Sequence, residues 1–244
     1  MSNLLKWEMK QTLQSKSLWG ITAILTIGTQ LLGLIAVSEG VESGIELFLT
    51  SCTNFNTLLL FFIGIYAGIH ITGAFEERKI QAAVMAGNSR FRVIATKLIS
   101  FTVSVAIISI IALSCSAVIS FALKGTDNLG GSFGREVIAR ILVYSLVEVA
   151  FSAICFLLSM FMRNLGASII VNLITLLILN SIGQALISYE WAHKFLKLTP
   201  LGQTFIMIGD VSTNNLVLAA VGALLTLGII LSVSFLKFKN EELK

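Results

Sequence analysis

Six long apolar runs, separated by segments that carry the charged residues, dominate the hydrophobic pattern of this chain. A helix that crosses the hydrocarbon core of a bilayer needs about 20 mostly apolar residues. Strands of a membrane barrel would instead alternate apolar and polar residues. The continuous runs therefore predict an all-α membrane protein. It forms a single transmembrane domain over residues 1–244, with spans at approximately 18–38, 56–75, 98–121, 141–162, 166–187 and 214–236.

Three segments outside the runs have weaker patterns. Leu5, Met9 and Leu13 recur every four residues, which predicts an N-terminal amphipathic helix lying in the membrane interface. The segment Ser188–Asp210 mixes aromatic and aliphatic residues with polar ones. It predicts short re-entrant or interfacial helices before the sixth span. The glycine-containing segment Thr126–Ser132 is expected to be a flexible loop.

The segment between the second and third spans predicts a short amphipathic helix, because Ile80 and Val84 repeat at four residues behind two leading acids. Gly87 can end this helix. Ser89 is a favourable N-cap for the next helix, which runs into the third span.

The distribution of charged residues predicts how the bundle is oriented in the membrane. Only 12% of the residues are charged, against about 25% in a typical soluble domain. If the N terminus is inside, the inner segments hold twelve of the 17 Lys and Arg residues. Because basic residues collect on the cytoplasmic side, both termini are expected to be cytoplasmic. The net charge of +4 is thereby explained by topology, and no nucleic-acid partner is expected.

Motifs for catalysis or metal binding do not stand out. The sequence contains no GxxxxGK[ST] or GxGxxG phosphate loop, and neither His70 nor His193 has a second ligand at helical spacing. The three cysteines form no CxxC pair and are expected to be buried hydrophobic residues. We therefore expect no catalytic residue, metal or cofactor on this chain.

Polar residues inside the spans are candidates for a pathway or a dimer interface. Glu148 is the one acid within a span, and a carboxylate there should face the bundle, a cavity or a partner chain. Asn172, Asn180 and Gln184 give the fifth span a polar face that should turn away from lipid. The small pair Gly64 and Gly68 predicts close helix packing within the bundle.

The loop between the second and third spans resembles the coupling-helix region of the type-2 ABC exporter permeases, the ABC-2 family. In that family an acid follows the second span. A short helix, a glycine or proline, a small polar residue with arginine, and a later lysine come next. Here these positions match Glu76 or Glu77, Gly87, Ser89-Arg90 and Lys97. The family's frequent Gly-Thr after the acid is missing. The six spans and the N-terminal helix agree with the family in outline.

The resemblance implies a permease subunit in a bacterial plasma membrane, working as a homodimer or a paralogous heterodimer. Two copies of a cytoplasmic ATPase would bind ATP and Mg²⁺, and this chain would form the path through the lipid. The small size resembles permeases that export amphipathic peptides. The residues that the resemblance assigns to ATPase coupling are Glu76, Glu77, Arg78, Lys79, Gly87, Ser89, Arg90 and Lys97.

Two other classes of function remain open. An ion-gradient-driven transporter or channel would need more buried ionisable groups than Glu148. An intramembrane metal-dependent protease could use Glu76-Glu77, but it would need histidines on neighbouring spans, and His70 alone does not supply them.

Overall fold

The computed structural model of the chain describes residues 2–38, 40–125, 133–186, 189, 196, 199–209 and 213–239. Throughout these ranges the regular structure is helical. Six of the described helices are long and apolar enough to cross a membrane. The chain is therefore a multi-pass membrane protein, as the hydrophobic pattern predicts.

The described helical segments follow one another along the chain from the first residues to the last span. In chain order they are α1 (Ser2–Leu13), α2 (Lys16–Ser38), α3 (Gly44–Ala67), a π-helical segment (Gly68–Thr72), α4 (Gly73–Glu76), α5 (Lys79–Met85), α6 (Arg90–Lys124), α7 (Phe133–Phe161), α8 (Leu165–Leu186), α9 (Pro200–Gly209) and α10 (Thr213–Lys239). The π segment joins α3 to α4 within one continuous span, Gly44–Glu76.

The second span begins at Gly44, twelve residues before the predicted start at residue 56. The Ser43 side chain caps the helix by accepting a hydrogen bond from the backbone N–H of Glu46. The polar run that follows does not interrupt it, because the hydroxyls of Thr53 and Thr57 donate to carbonyls one turn earlier. Hydroxyl side chains satisfied in this way are tolerated inside a spanning helix.

The first, fifth and sixth spans lie close to their predicted limits, whereas α7 begins at Phe133, eight residues before the predicted start of the fourth span, and the third span is longer. At 35 residues, α6 is about 50 Å long, well beyond the roughly 30 Å hydrocarbon core. Its first turns therefore project from one end of the bundle.

The core is built around α3 and α6, which pack against each other and both contact α2 and α7. The α3 helix also packs against α8. Tyr66, Phe101 and Phe156 form a buried aromatic row with ring centroids 5.8 Å apart at each step. On the outside, apolar side chains such as Ile24, Ile174 and Leu224 are about half exposed, as expected of helices that face lipid.

We call one end of the bundle the basic end. It contains α1, α4, α5, the start of α6, the α7–α8 turn and the end of α10, and it carries the basic residues Lys6, Lys10, Lys16, Arg78, Lys79, Arg90, Arg92, Lys97, Arg163 and Lys237. Long-range hydrogen bonds join α1, α4, α6, α8 and α10 there. The first helix and the end of the last helix thus lie at the same end of the bundle.

The α1 helix turns a partly polar face to the protein. Glu8 and Thr12 are buried, and Leu4 packs against the core. Of the predicted apolar face, Leu5 and Met9 are only half-buried and Leu13 is exposed. The predicted apolar face therefore lies beside the contact with the bundle, and its position in a membrane interface stays a prediction.

The predicted segment Ser188–Asp210 falls largely outside the described residues, as does Thr126–Ser132. Within the described part, α9 is a ten-residue helix that packs against α7 and α10. Leu196 just before it is buried.

Candidate functional site

The loop at the basic end contains the residues that the sequence pattern singled out, and its local geometry follows the sequence closely. The short helix α5 ends at Met85, and Gly87 takes a left-handed φ of 87°, which glycine adopts without steric cost. The Ser89 side chain accepts a hydrogen bond from the Arg92 N–H and caps α6. Both expectations are confirmed.

The two acids at the start of the loop have different partners. The Glu76 carboxylate accepts a 2.7 Å hydrogen bond from the backbone N–H of Leu165, the first residue of α8. A carboxylate is favourable there because a helix N-terminus carries partial positive charge. Glu77 instead forms an exposed ion pair with Lys79, whose hydrogen bond and positive charge lower the pKa of the Glu77 carboxyl. Of the two acids, it is Glu76 that links the loop to another span.

Between these two acids and α5, Arg78 has a φ of 56°, the one positive φ found among the described non-glycine residues. A side chain in this region usually costs about 1–2 kcal/mol. The sharp reversal lets α5 turn back so that Ile80, 3% exposed, packs against the start of α6. Met85 at the other end of α5 is 81% exposed.

The loop is held from its other side by Arg90. Its guanidinium donates a 3.1 Å hydrogen bond to the carbonyl oxygen of Phe238, near the end of α10, and lies 5.9 Å from the centroid of the Phe238 ring. Phe91 adds an edge-on contact with Phe235, with ring centroids 5.2 Å apart. The turn between α5 and α6 is thus attached to the last span.

Lys97 is buried. Its ammonium donates a 2.6 Å hydrogen bond to the Glu8 carboxylate of α1, and the two residues are 8% and 4% exposed. A buried ion pair of this kind is favourable only when both partners are present. The N-terminal helix is therefore fastened to α6 by charge as well as by packing.

A polar cleft of about 160 Å³ opens beside this ion pair, between α1, the π segment, α4, α5 and α6. Its walls include Glu8 and Lys97, the exposed pair Glu77 and Lys79, and His70. Hydroxyl and amide side chains complete it; they are Gln11, Thr12, Ser15 and Ser17. We call this cavity the basic-end cleft.

His70, for which the sequence indicates no second metal ligand, lies at the base of the cleft. Its Nε2 is 3.0 Å from Ser100 Oγ, and the Ser100 hydroxyl donates to the carbonyl of Lys97. Ser100 therefore accepts, which assigns the ring proton to Nε2. The ring stacks on Tyr66 with centroids 5.5 Å apart. The π segment that carries His70 has no signature in the residue pattern, so only the structure reveals this placement.

A buried hydrogen-bond network joins the π segment to α7 and α8. The Thr72 hydroxyl lies 3.0 Å from the Ser159 carbonyl and 2.9 Å from Ser168 Oγ. The Asn172 side-chain amide donates to Ser159 Oγ at 2.8 Å and, at 3.4 Å, to the Gly64 carbonyl. One of the three predicted polar residues of the fifth span thus helps to fix how α8 packs.

The other two residues of that predicted face lie apart from this network. Asn180 is half-buried and Gln184 is exposed on the surface of the single chain. That these three residues together face a pathway or a partner chain stays a prediction. Asn172 is separated from Asn180 by eight residues, about 80° beyond two full turns, so the two side chains leave the helix in different directions.

Glu148 faces the interior of the chain. It is completely buried, and among the described residues neither carboxylate oxygen has a hydrogen-bond partner. Tyr144, one turn earlier on α7, donates to the carbonyl of Cys52 on α3 at 3.2 Å. Of the three surroundings expected for this acid, the structure places it in the bundle itself.

The residues predicted for coupling are therefore brought together at the basic end, whereas Glu148 lies apart from them. No group of three or more His, Cys, Asp and Glu residues in the described part of the chain could hold a metal ion. Comparison of the sequence with known proteins gives no match to a protein-family model and no match to a curated protein.

Proposed function

We propose that this chain is the permease subunit of an ATP-driven exporter of the ABC-2 type. In this proposal the basic end faces the cytoplasm of a bacterial cell. Two copies of a separate ATPase bind ATP and Mg²⁺ below it, and a second permease chain completes the path through the plasma membrane.

The single observation that carries the proposal is the way the α4–α5–α6 loop is attached. Glu76 links its start to α8, Arg90 links its end to α10, and Lys97 links α6 to α1. A force applied to α5 by a bound partner would reach three other helices through these contacts. A loop with only solvated charges would have no such attachments.

The exposed part of α5 fits a soluble partner. Met85 is 81% exposed, and the side chains of Arg78 and Lys79 are accessible beside it. A flexible apolar side chain among charges is typical of protein contact surfaces. The proposed partner is a cytoplasmic ATPase, and the proposed cargo is an amphipathic peptide or another hydrophobic compound.

The test has two parts. The tagged chain is purified from native membranes, and the resistance of the same cells to added amphipathic peptides, which export should confer, is measured. An ATPase should co-purify, and the double variant Glu76→Gln/Arg90→Gln should lose resistance. A matched control is Glu46→Gln/Lys124→Gln, which removes the same charges at the opposite end and should keep resistance. Absence of an ATPase, together with full resistance in the first variant, would contradict the proposal.

A second candidate function, an ion-gradient-driven transporter, is favoured by one observation: Glu148 is an acid that is fully buried within a span. Intramembrane acids of this kind often belong to ion pathways. The two functions separate under an uncoupler. Export that stops when the proton gradient collapses at constant ATP, and that Glu148→Gln abolishes, would favour the gradient-driven transporter.

A further inference from the structure

The basic-end cleft contains a buried ammonium group with unused hydrogen-bond donors. Lys97 has three N–H donors, and Glu8 is its one hydrogen-bond partner among the described residues. Burying a charged group is costly unless it is both paired and hydrogen-bonded. Two strong donors of a nearly buried cation are therefore available at the wall of a cavity that has room for further oxygen atoms.

A second ammonium group, that of Lys79, lines the same cavity and is held only by an exposed ion pair. Lys79 pairs with Glu77, but the two side chains are 41% and 60% exposed. Exposed ion pairs contribute little because water competes for both charges. Lys79 can therefore exchange Glu77 for another anion at small cost. The hydroxyls of Thr12 and Ser17 add neutral donors to the same wall.

The chemistry that matches this wall is a phosphate group. Its oxygens accept several hydrogen bonds at once, and its negative charge suits two lysines. The two acids of the cleft, Glu8 and Glu77, are each already paired with one of those lysines. A divalent cation fits less well, because no group of three or more acidic, histidine or cysteine ligands comes together in the described part of the chain.

The place of the cleft indicates where such a phosphate comes from. The cleft lies where α1 meets the ends of the spans, which on the proposed orientation is the level of the inner-leaflet headgroups. One wall is Ile69, an apolar side chain that is 40% exposed on the outside of the bundle. A lipid could place its headgroup among the lysines and lay its acyl chains beyond Ile69. Anionic lipids are attracted to basic pockets at this level.

We propose that the basic-end cleft binds the headgroup phosphate of an anionic phospholipid. The bound lipid would contact α1, the π segment, α5 and α6 together, so it would stabilise the loop that the proposed function assigns to ATPase coupling. The inference rests on the proposed function only for the choice of membrane leaflet.

The experiment uses the purified, delipidated full-length chain in a neutral detergent, with unfolding followed by tryptophan fluorescence. Added phosphatidylglycerol should raise the melting midpoint saturably, and phosphatidylcholine should not. Lys79→Gln should raise the half-saturating lipid concentration about fivefold, the equivalent of roughly 1 kcal/mol for one lysine near a membrane surface. Inorganic phosphate at millimolar concentration should compete with the lipid.

The matched control is Lys10→Gln, which removes an exposed charge from α1 outside the cleft and should leave the lipid response unchanged. Lys97→Arg keeps the positive charge at the wall of the cleft and should retain binding.

Three results would overturn the inference. The first is an equal rise of the melting midpoint with phosphatidylglycerol and with phosphatidylcholine. The second is an equal weakening of the phosphatidylglycerol response in Lys79→Gln and in Lys10→Gln. The third is a rise of the melting midpoint with inorganic phosphate and none with phosphatidylglycerol. No ATPase is present in this assay, so failure here leaves the proposed function standing, and failure of the ATPase test leaves this result interpretable.

Discussion

At the scale of single residues, the basic end contains two Glu–Lys pairs with opposite exposure. Glu8 and Lys97 are almost completely buried, whereas Glu77 and Lys79 are largely exposed. A buried pair has lost the solvation of both charges, so removing one partner leaves the other uncompensated. An exposed partner left alone is simply solvated by water. The two pairs should therefore respond very differently to the same substitution.

We predict that Glu8→Gln destabilises the chain by about 3–5 kcal/mol, the usual cost of breaking a buried pair. Glu77→Gln is the matched control and should have a small effect. The exchange Glu8→Lys/Lys97→Glu should recover part of the loss, because the pair is restored in reverse. Thermal unfolding in one detergent measures all three. Equal losses for Glu8→Gln and Glu77→Gln would contradict the assignment of burial.

Because the pKa of the Glu77 carboxyl is lowered, the ion pair that it forms makes the stability of the folded chain depend on pH. Because Lys79 lowers the folded-state pKa of this carboxyl, the pair contributes stability above the unfolded-state pKa and loses it as the pH falls through the lowered value. Exposure keeps that contribution small.

At the scale of helices, α3 and α8 approach closely because glycine faces the contact. A Cβ atom on Gly64 would lie 3.1 Å from the Cβ of Asn172, and one on Gly68 would lie 2.9 Å from Ile169. Small residues allow such an approach in membranes, where close packing drives helix association. The predicted role of Gly64 and Gly68 in packing within the bundle is confirmed.

We predict that Gly64→Val destabilises the chain by about 1–3 kcal/mol, as overpacking of a tight contact does. It would also stretch the hydrogen bond from Asn172. Gly20→Val is the matched control, since nothing lies within 4 Å of a Cβ at Gly20. The melting midpoints of the two variants in the same detergent provide the comparison. A Gly20→Val loss as large as that of Gly64→Val would contradict this account.

The helices could be predicted because lipid imposes a strong constraint on length and polarity. The start of the second span could not, since Thr53 and Thr57 satisfy their hydroxyls locally and the sequence does not reveal this. The loop geometry was predictable at Gly87 and Ser89, where backbone conformation and capping are local. The partners of Glu76, Arg90 and Lys97 were not, because they lie 89, 148 and 89 residues away along the chain.

At the scale of the whole molecule, the described basic residues are concentrated at one end. Because basic residues collect on the cytoplasmic side of membranes, this asymmetry favours the proposed orientation, with that end in the cytoplasm. The acids Glu42 and Glu46 lie near the opposite end, close to the start of α3. The orientation is open to direct measurement, because exposed residues are available at both ends.

We predict that a membrane-impermeant maleimide labels Glu46→Cys but not Met85→Cys in intact cells. Both should be labelled after permeabilisation. The background would replace the native cysteines at positions 52, 115 and 155 with alanine. Labelling of Met85→Cys in intact cells would reverse the proposed orientation and place the coupling loop outside.

The π segment Gly68–Thr72 changes the direction in which the side chains after it leave the second span. A π turn holds one residue more than an α turn, so everything after it is rotated by about 100° relative to an uninterrupted α-helix. Glu76 therefore points where residue 75 of a regular helix would point, which is toward the first residue of α8. Deleting Ile69 would convert the segment to a regular helix and leave that direction unchanged. A deletion after Thr72 would leave the bulge in place and swing the acid away from α8.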